Sequence, residues 1–319
     1  MMNKKELGIV FLGTPEFALP SLEMLLKEGY CVKAVITQPD RQKGRGHKLL
    51  PPPVKVLAEE NEIPVYQFNK ISSEGKELLR ELAPDLMITV AFGQILSREV
   101  LNIPKYGCIN VHASLLPKYR GAAPIEMAVV NGEKKTGIST MYTVYELDAG
   151  DVLEQDETEI LPEETGGELR ERLSYLGAKT LKRTLLKLLD GTLKRTPQNE
   201  KEATYYPMFK KGYGQIDWEK SSESIVDFVR GINPVPTAFS YLDDQKVKIF
   251  AVKEEKYDKP GKPGDIIICD SKKGLTVKTK DGAVQILKLQ FAGSKPMNAK
   301  DLLRGRSITQ TCFTGKTDG

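Results

Sequence analysis

Residues 107–124 run GCINVHASLLPKYRGAAP. A short apolar run from Gly107 ends in Asn110-Val111-His112. Side chains alternate along a strand, so Asn110 and His112 share one face of it. The chain then turns through Ser114-Leu115-Leu116-Pro117 and reaches a basic turn, Lys118-Tyr119-Arg120-Gly121. The chain has two histidines, His47 and His112, so His112 carries most of the imidazole chemistry open near neutral pH.

Moving outward from this stretch, Leu7–Leu12 (LGIVFL) and Cys31–Thr37 (CVKAVIT) read as strands flanking an amphipathic helix built on Phe17, Leu19, Leu22, Leu25 and Leu26. Thr14 and Pro15 read as the cap and first residue of that helix. A β-α-β opening predicts a parallel sheet with a right-handed crossover. The turn after the first strand is Gly13-Thr14-Pro15-Glu16-Phe17, not a G-x-G-x-x-G turn, so a dinucleotide is not the expected ligand. Leu86–Val90 is a further strand. It leads into Phe92-Gly93-Gln94-Ile95 at the carboxyl edge, where open α/β sheets bind ligands. On residue pattern alone, Phe92 and Ile95 read as core packing.

The expected fold is therefore a Rossmann-like, mostly parallel sheet with helices on both faces, spanning 1–191. Residues 192–207 lack a clear period and read as a linker. Residues 208–319 show five short alternating runs separated by turns, which predicts a smaller β-barrel of OB-like type. This last part carries 20 Lys and Arg against 14 Asp and Glu, whereas residues 1–207 carry 27 against 29. A basic back half points to a polyanionic partner, or to an ordinary lysine-rich surface.

The four cysteines form no CxxC, and the two histidines are far apart. No disulfide framework and no metal site are expected, and the compartment reads as a reducing cytoplasm. No apolar run approaches the ~20 residues of a membrane helix.

Two segments carry the chemistry. Asn110 and His112 at a strand end, with Asp148 in the turn Glu146–Asp151, contain no strong nucleophile. They suit direct acyl or one-carbon transfer better than a covalent acyl-enzyme. Asn110 can donate to a developing oxyanion. His112 can donate or shuttle a proton. Asp148 can orient the imidazole and accept a proton from an attacking amine. Taken singly, each has a structural reading: a strand end, a buried histidine, a turn residue. The second segment, Gln38–Pro53, holds Arg41, Lys43, Arg45 and Lys48. With Lys55 they make five cations and no acid between 41 and 55. It reads equally as a solvated loop or as a phosphate contact.

NVHASLLPKYRGAAP, with LDAGD at 147–151, closely resembles the signature of the 10-formyltetrahydrofolate-dependent formyltransferases, and the resemblance covers essentially the whole chain. The GTPEF opening, the loop TQPDRQKGRGHKLLPPPVK and the basic C-terminal part look like the branch acting on initiator methionyl-tRNA. The resemblance implies formyl transfer from 10-formyltetrahydrofolate to the methionyl amine, by a monomer. Asn110, His112 and Asp148 would be the catalytic set. Ser114, Leu115, Leu116 and Pro117 with Phe92, Gly93, Gln94 and Ile95 would line the folate site. Arg45, with Arg41, Lys43 and Lys48, would reach the tRNA acceptor end. The same chemistry on a sugar-nucleotide or ribonucleotide amine, a non-catalytic RNA-binding module, and a hydrolase releasing formate are the rival readings.

Overall fold

The structure is a computed structural model that describes residues 3–43 and 48–315. The chain divides into two compact units. The first comprises Met1–Pro124, Thr136–Thr158 and Arg170–Tyr206. In chain order its strands are β1 (Gly8–Gly13), β2 (Cys31–Thr37), β3 (Arg41–Lys43), β4 (Lys48–Leu50), β5 (Val65–Gln67), β6 (Leu86–Val90), β7 (Cys108–His112), β8 (Arg120–Gly121), β9 (Lys135–Tyr142), β10 (Val152–Glu159) and β11 (Tyr205–Tyr206).

Seven of these form one sheet in the order β10-β9-β7-β6-β1-β2-β5. The pairs β5–β2, β2–β1, β1–β6 and β6–β7 are parallel, and β7–β9 is antiparallel. Every residue of β1 and β6 is buried, as strands covered on both faces require, which is why they read as unbroken apolar runs. The chain leaves β1 toward β2 and β5, then returns to lay β6 on the other side of β1. That reversal is the switch point at which α/β sheets open a crevice beyond their strand ends. Thr14 does not cap a helix there. A short 3₁₀ turn, Glu16–Ala18, precedes the helix Leu19–Lys27. The Thr14 hydroxyl instead donates to the Phe92 carbonyl (3.2 Å) and accepts from the Gln38 amide (3.2 Å), joining the loops after β1, β2 and β6.

Residues 192–206, expected within a linker, are paired into the first unit. Thr196 and Val152 exchange both backbone hydrogen bonds at 2.9 Å, and β11 lies parallel to β8 with Tyr205 opposite Arg120. The segment has no period because its partners are two separate loops and not a continuous strand.

The second unit comprises Ile125–Lys135, Glu159–Leu169 and Pro207–Gly319. Its strands β12 (Ala238–Leu242), β13 (Gln245–Glu255), β14 (Ile266–Asp270), β15 (Gly274–Lys278), β16 (Ala283–Phe291) and β17 (Met297–Asn298) make an antiparallel sheet ordered β12-β13-β16-β15-β14, with β17 on β16. The sheet closes through residues 311–314. Ile266 donates to the Thr311 carbonyl (2.7 Å), and Phe313 donates to Gly264 (2.8 Å). Thr314 and Tyr241 exchange bonds at 2.9 and 3.1 Å. This segment thus satisfies both exposed sheet edges at once, and the sheet becomes a barrel. Phe313 is buried against Trp218, ring centroids 5.7 Å apart. The indole N–H donates to Ser240 Oγ (3.0 Å).

Phe313→Ala leaves a cavity beneath that closing segment. It is expected to destabilise the second unit by about 3–5 kcal/mol. The single tryptophan, Trp218, sits at the lesion, so its fluorescence in a urea titration reports the loss directly. An unchanged fluorescence midpoint would show that the segment does not hold the barrel.

Candidate active site at the carboxyl edge of the sheet

Strand β7 brings Asn110 and His112 to the carboxyl edge, beside β6 with Thr89 opposite Asn110. Asn110 Oδ1 accepts the Thr89 hydroxyl at 3.0 Å. Among the described residues, the Asn110 NH2 has no hydrogen-bond partner. His112 is buried, 6% exposed, and its Nε2 lies 2.9 Å from the Tyr119 carbonyl. A carbonyl only accepts, so Nε2 carries a proton. Nδ1 is then the nitrogen left for chemistry, and it faces Asp148 Oδ2 at 3.8 Å. The distance is too long for a hydrogen bond and short enough for an ion pair with a protonated ring.

Asp148 sits in the left-handed region, φ 50°, between β9 and β10. Its Oδ2 accepts the Gly121 N–H at 2.8 Å. Gly121 has φ 108°, and a Cβ there would overlap the Tyr206 carbonyl. Tyr119 is left-handed too, φ 61°, and its ring stacks on Tyr206 with centroids 5.0 Å apart. The peptides on either side of Arg120 therefore bracket the pair: one offers the Tyr119 carbonyl to His112, the other the Gly121 N–H to Asp148.

Arg120 itself corrects the sequence reading of a basic turn. Its side chain is fully buried, and all five of its N–H donors are used. Nε and Nη2 reach Gln198 Oε1 at 3.1 and 2.9 Å. Nη1 and Nη2 fork onto the two Glu200 oxygens at 3.0 and 2.7 Å. Nη1 also meets the Tyr205 hydroxyl at 2.6 Å. The hydrogen bonds it donates to Glu200 hold the guanidinium above its ordinary pKa, and Arg120 holds the Glu200 carboxyl below the usual carboxylate range. Gln198, Glu200 and Tyr205 all come from the segment read as a linker. Its mixed polar composition was the only sequence signal that it had a buried charge to satisfy.

The residues expected to line a folate pocket divide. Ser114 is buried, with its hydroxyl on the Lys118 carbonyl (2.7 Å). Leu116 clusters with Met141 and Val152, and Gln155 Nε2 holds its carbonyl at 3.0 Å. Leu115 and Pro117 flank it, Leu115 half-buried. Phe92 packs in the core, in line with its reading on pattern alone. Gln94 accepts from the Ile71 amide (2.9 Å) and donates to the Phe68 carbonyl (2.7 Å). The side chains of Ser114, Phe92 and Gln94 thus shape the loops from within. Gly93, at φ 77°, and Ile95, 76% exposed, face solvent, so Ile95 does not pack in the core as its pattern suggests. Their loop leaves β6 just after Val90, which is opposite Val111.

Of the expected tRNA-binding cations, Arg45 lies outside the described residues. Lys43 and Lys48 pair across the β3–β4 hairpin, and exposed Arg41 donates to Gln38. Lys55 does not belong with them. It sits 3.1 Å from both oxygens of Asp40 and 3.0 Å from Gln67. Hydrogen bonds from Gln67 and then Lys55 hold the Asp40 carboxyl below its ordinary range.

The family model for formyl transferases matches residues 7–185, and the model for the formyl transferase C-terminal domain matches residues 208–307. A methionyl-tRNA formyltransferase of Ruminiclostridium cellulolyticum is 49% identical over 303 residues, covering 94% of this chain and 97% of that protein. One of Acetivibrio thermocellus is 50% identical over 304 residues, covering 94% and 97%. Among solved structures, the N-formyltransferase of Helicobacter canadensis in complex with folinic acid and dTDP-3-aminofucose superposes with a TM-score of 0.67 at 20% identity, covering 89% of this chain and 98% of that one. HypX of Aquifex aeolicus in complex with tetrahydrofolic acid gives 0.61 at 20% identity, covering 92% and 46%.

Arg120→Lys keeps the charge but loses the planar fork. It is expected to cost about 1–3 kcal/mol, because an ammonium's three N–H groups cannot reproduce the five bonds the guanidinium makes. The check is a lower urea midpoint by circular dichroism. A wild-type midpoint would mean that an ammonium replaces the five bonds.

Proposed function

This chain belongs to the formyl transferase family, and from that membership we propose that it transfers a formyl group from 10-formyltetrahydrofolate to the free α-amine of methionine on initiator tRNA. The observation that carries this reading is the placement of His112 facing Asp148 near Asn110, whose NH2 has no hydrogen-bond partner among the described residues. The relatives at 49–50% identity are methionyl-tRNA formyltransferases along nearly their whole length, which supports the tRNA acceptor over a sugar or ribonucleotide. A folate-bound structural neighbour of the same fold supports a folate-borne donor.

The folate supplies a formyl group on a nitrogen that can leave. The Asn110 NH2 donates to the formyl oxygen as negative charge develops there. His112, protonated, offers Nδ1–H to the same oxygen or hands on a proton. Nε2 stays fixed on the Tyr119 carbonyl, so the ring cannot rotate away. The amine attacks the formyl carbon, and Asp148 receives its proton directly or through one water. The proton must finally reach the departing folate nitrogen, and the facing imidazole and carboxylate form the relay. The 3.8 Å gap suits a pair that tightens when substrate arrives. The backbone of Gly93 and the loop 114–117 border the folate. Arg45 contacts tRNA phosphates together with Arg41, Lys43 and Lys48. Residues 1–191 do the chemistry, and the basic barrel of residues 208–319 holds part of the tRNA. Among the described residues no helix is long and apolar enough to cross a membrane. The protein works as a monomer in the cytoplasm, where both substrates occur.

Incubation with 10-formyltetrahydrofolate and methionyl-tRNA should yield formylmethionine. His112→Ala and Asp148→Ala are expected to lose ~10²–10⁴-fold in rate. Near-normal turnover in either removes this mechanism. Arg45→Ala should weaken tRNA use far more than folate use and flatten the dependence of tRNA binding on salt. Full tRNA affinity with an unchanged salt slope would exclude the phosphate contact.

A further inference from the structure

The Gln198 amide has two ends, and each is fully used. Oε1 accepts two N–H groups of the buried Arg120 guanidinium at 3.1 and 2.9 Å. Nε2 donates to the Asp148 carbonyl at 2.8 Å and to the Gly150 carbonyl at 2.7 Å. One side chain thus ties a fixed buried cation to the turn that carries Asp148. That turn needs tying. Asp148 is a non-glycine residue at φ 50°, a conformation that persists only where its surroundings impose it. Two residues on, a Cβ at Gly150 would overlap the Tyr142 carbonyl, so the turn has no slack on its other side.

We propose that Gln198 is a positioning residue for Asp148: by holding the carbonyls of Asp148 and Gly150 it keeps the Asp148 carboxylate on the Gly121 N–H and facing His112 Nδ1. The proposal deepens the catalytic reading above and rests on it for the role of Asp148. Residue type matters at this position. Only a primary amide of this length presents acceptors to the guanidinium and donors to two carbonyl oxygens at once. Asparagine is one carbon short. Glutamate keeps the acceptors toward Arg120 and sets an oxygen against the two carbonyls.

Gln198→Glu therefore removes only the half of the bridge that faces Asp148. In the otherwise unchanged protein it should lower kcat ~10–100-fold, the size of effect that a small misplacement of a reacting group produces. KM for both substrates should stay within about 3-fold, as expected of a group that acts on turnover through Asp148. In an Asp148→Asn background the same substitution should cost less than about 2-fold, since the group it positions is already gone. Amide hydrogen exchange reads the same point without turnover. The Gly121 amide, which donates to Asp148, should exchange ~10-fold faster or more in Gln198→Glu. The Arg120 and Ala122 amides, bonded to Thr204 and Tyr206, should keep their protection.

Equal kcat losses in both backgrounds would overturn the proposal. So would all three amides exchanging faster together, because Gln198 would then simply hold the strap in place. If the unsubstituted protein fails to transfer formyl, the catalytic reading falls and the exchange measurement alone decides whether Gln198 places Asp148. Should Gln198→Glu not fold, Gln198→Met is put through the same kcat cycle; because it also unpairs Arg120, the kcat criterion alone decides there, and equal losses in both backgrounds overturn the proposal.

Discussion

A guanidinium without access to water is the constraint from which this site follows. Burying Arg120 is tolerable only if every N–H it carries finds an acceptor, because an unpaired buried charge costs several kcal/mol. The acceptors do not come from the strand that carries Arg120. They come from Gln198, Glu200 and Tyr205, some eighty residues downstream. Satisfying the charge therefore forces the segment 192–206 back onto the loop after β7. Once there, the segment also pairs with Val152 at the start of β10. One electrostatic requirement thus ties together the loop that follows His112 and the turn that carries Asp148. Arginine suits the position because its planar fork meets a carboxylate and an amide oxygen together, where an ammonium would meet points.

The same local backbone sets the chemical roles. The Tyr119 carbonyl holds Nε2 of His112, which leaves Nδ1 as the nitrogen for the chemistry proposed above. The Thr89 hydroxyl donates to the Asn110 oxygen, which leaves the amide hydrogens available to another acceptor. On the proposed reading, two donors and one carboxylate stabilise charge and move a proton. That is electrostatic preorganisation, in which donor orientation is fixed by folding and not reorganised during reaction.

Much of this was legible. β1, β2, β6 and β7 show as apolar runs because strands buried on both faces must be apolar throughout. Asn110 and His112 fall on one face by simple alternation. The five runs after residue 237 mark the barrel strands. What was not legible depends on partners distant in sequence. Residues 311–314 close the barrel with a few backbone bonds and one aromatic anchor, too short a pattern to show a period. Residues 192–206 pair with two different loops, so no single alternation runs through them. Thr14 stands where a helix cap belongs and is drawn instead to the loops after β2 and β6. Asp148 could be joined to His112 only through resemblance, since nothing in spacing shows that a turn 36 residues away reaches the ring.

The two basic stretches carry a further lesson about charge read from sequence. Lys118-Tyr119-Arg120 looks like a solvated basic turn, yet its arginine is the most enclosed charge described above. The run from Arg41 to Lys55 looks uniformly cationic, yet Lys55 folds back onto Asp40, one residue outside that window. A cation contributes to a field that attracts phosphates only if no carboxylate within a few ångströms cancels it and water or ligand can reach it. By that criterion neither Arg120 nor Lys55 attracts phosphate, and exposed Arg41 remains a candidate. The phosphate contact proposed for this protein therefore centres on the β3–β4 hairpin and the residues between its strands. Its selectivity for an acceptor end has to arise from how that hairpin is presented, because point charges on a short two-stranded ribbon carry no sequence information of their own.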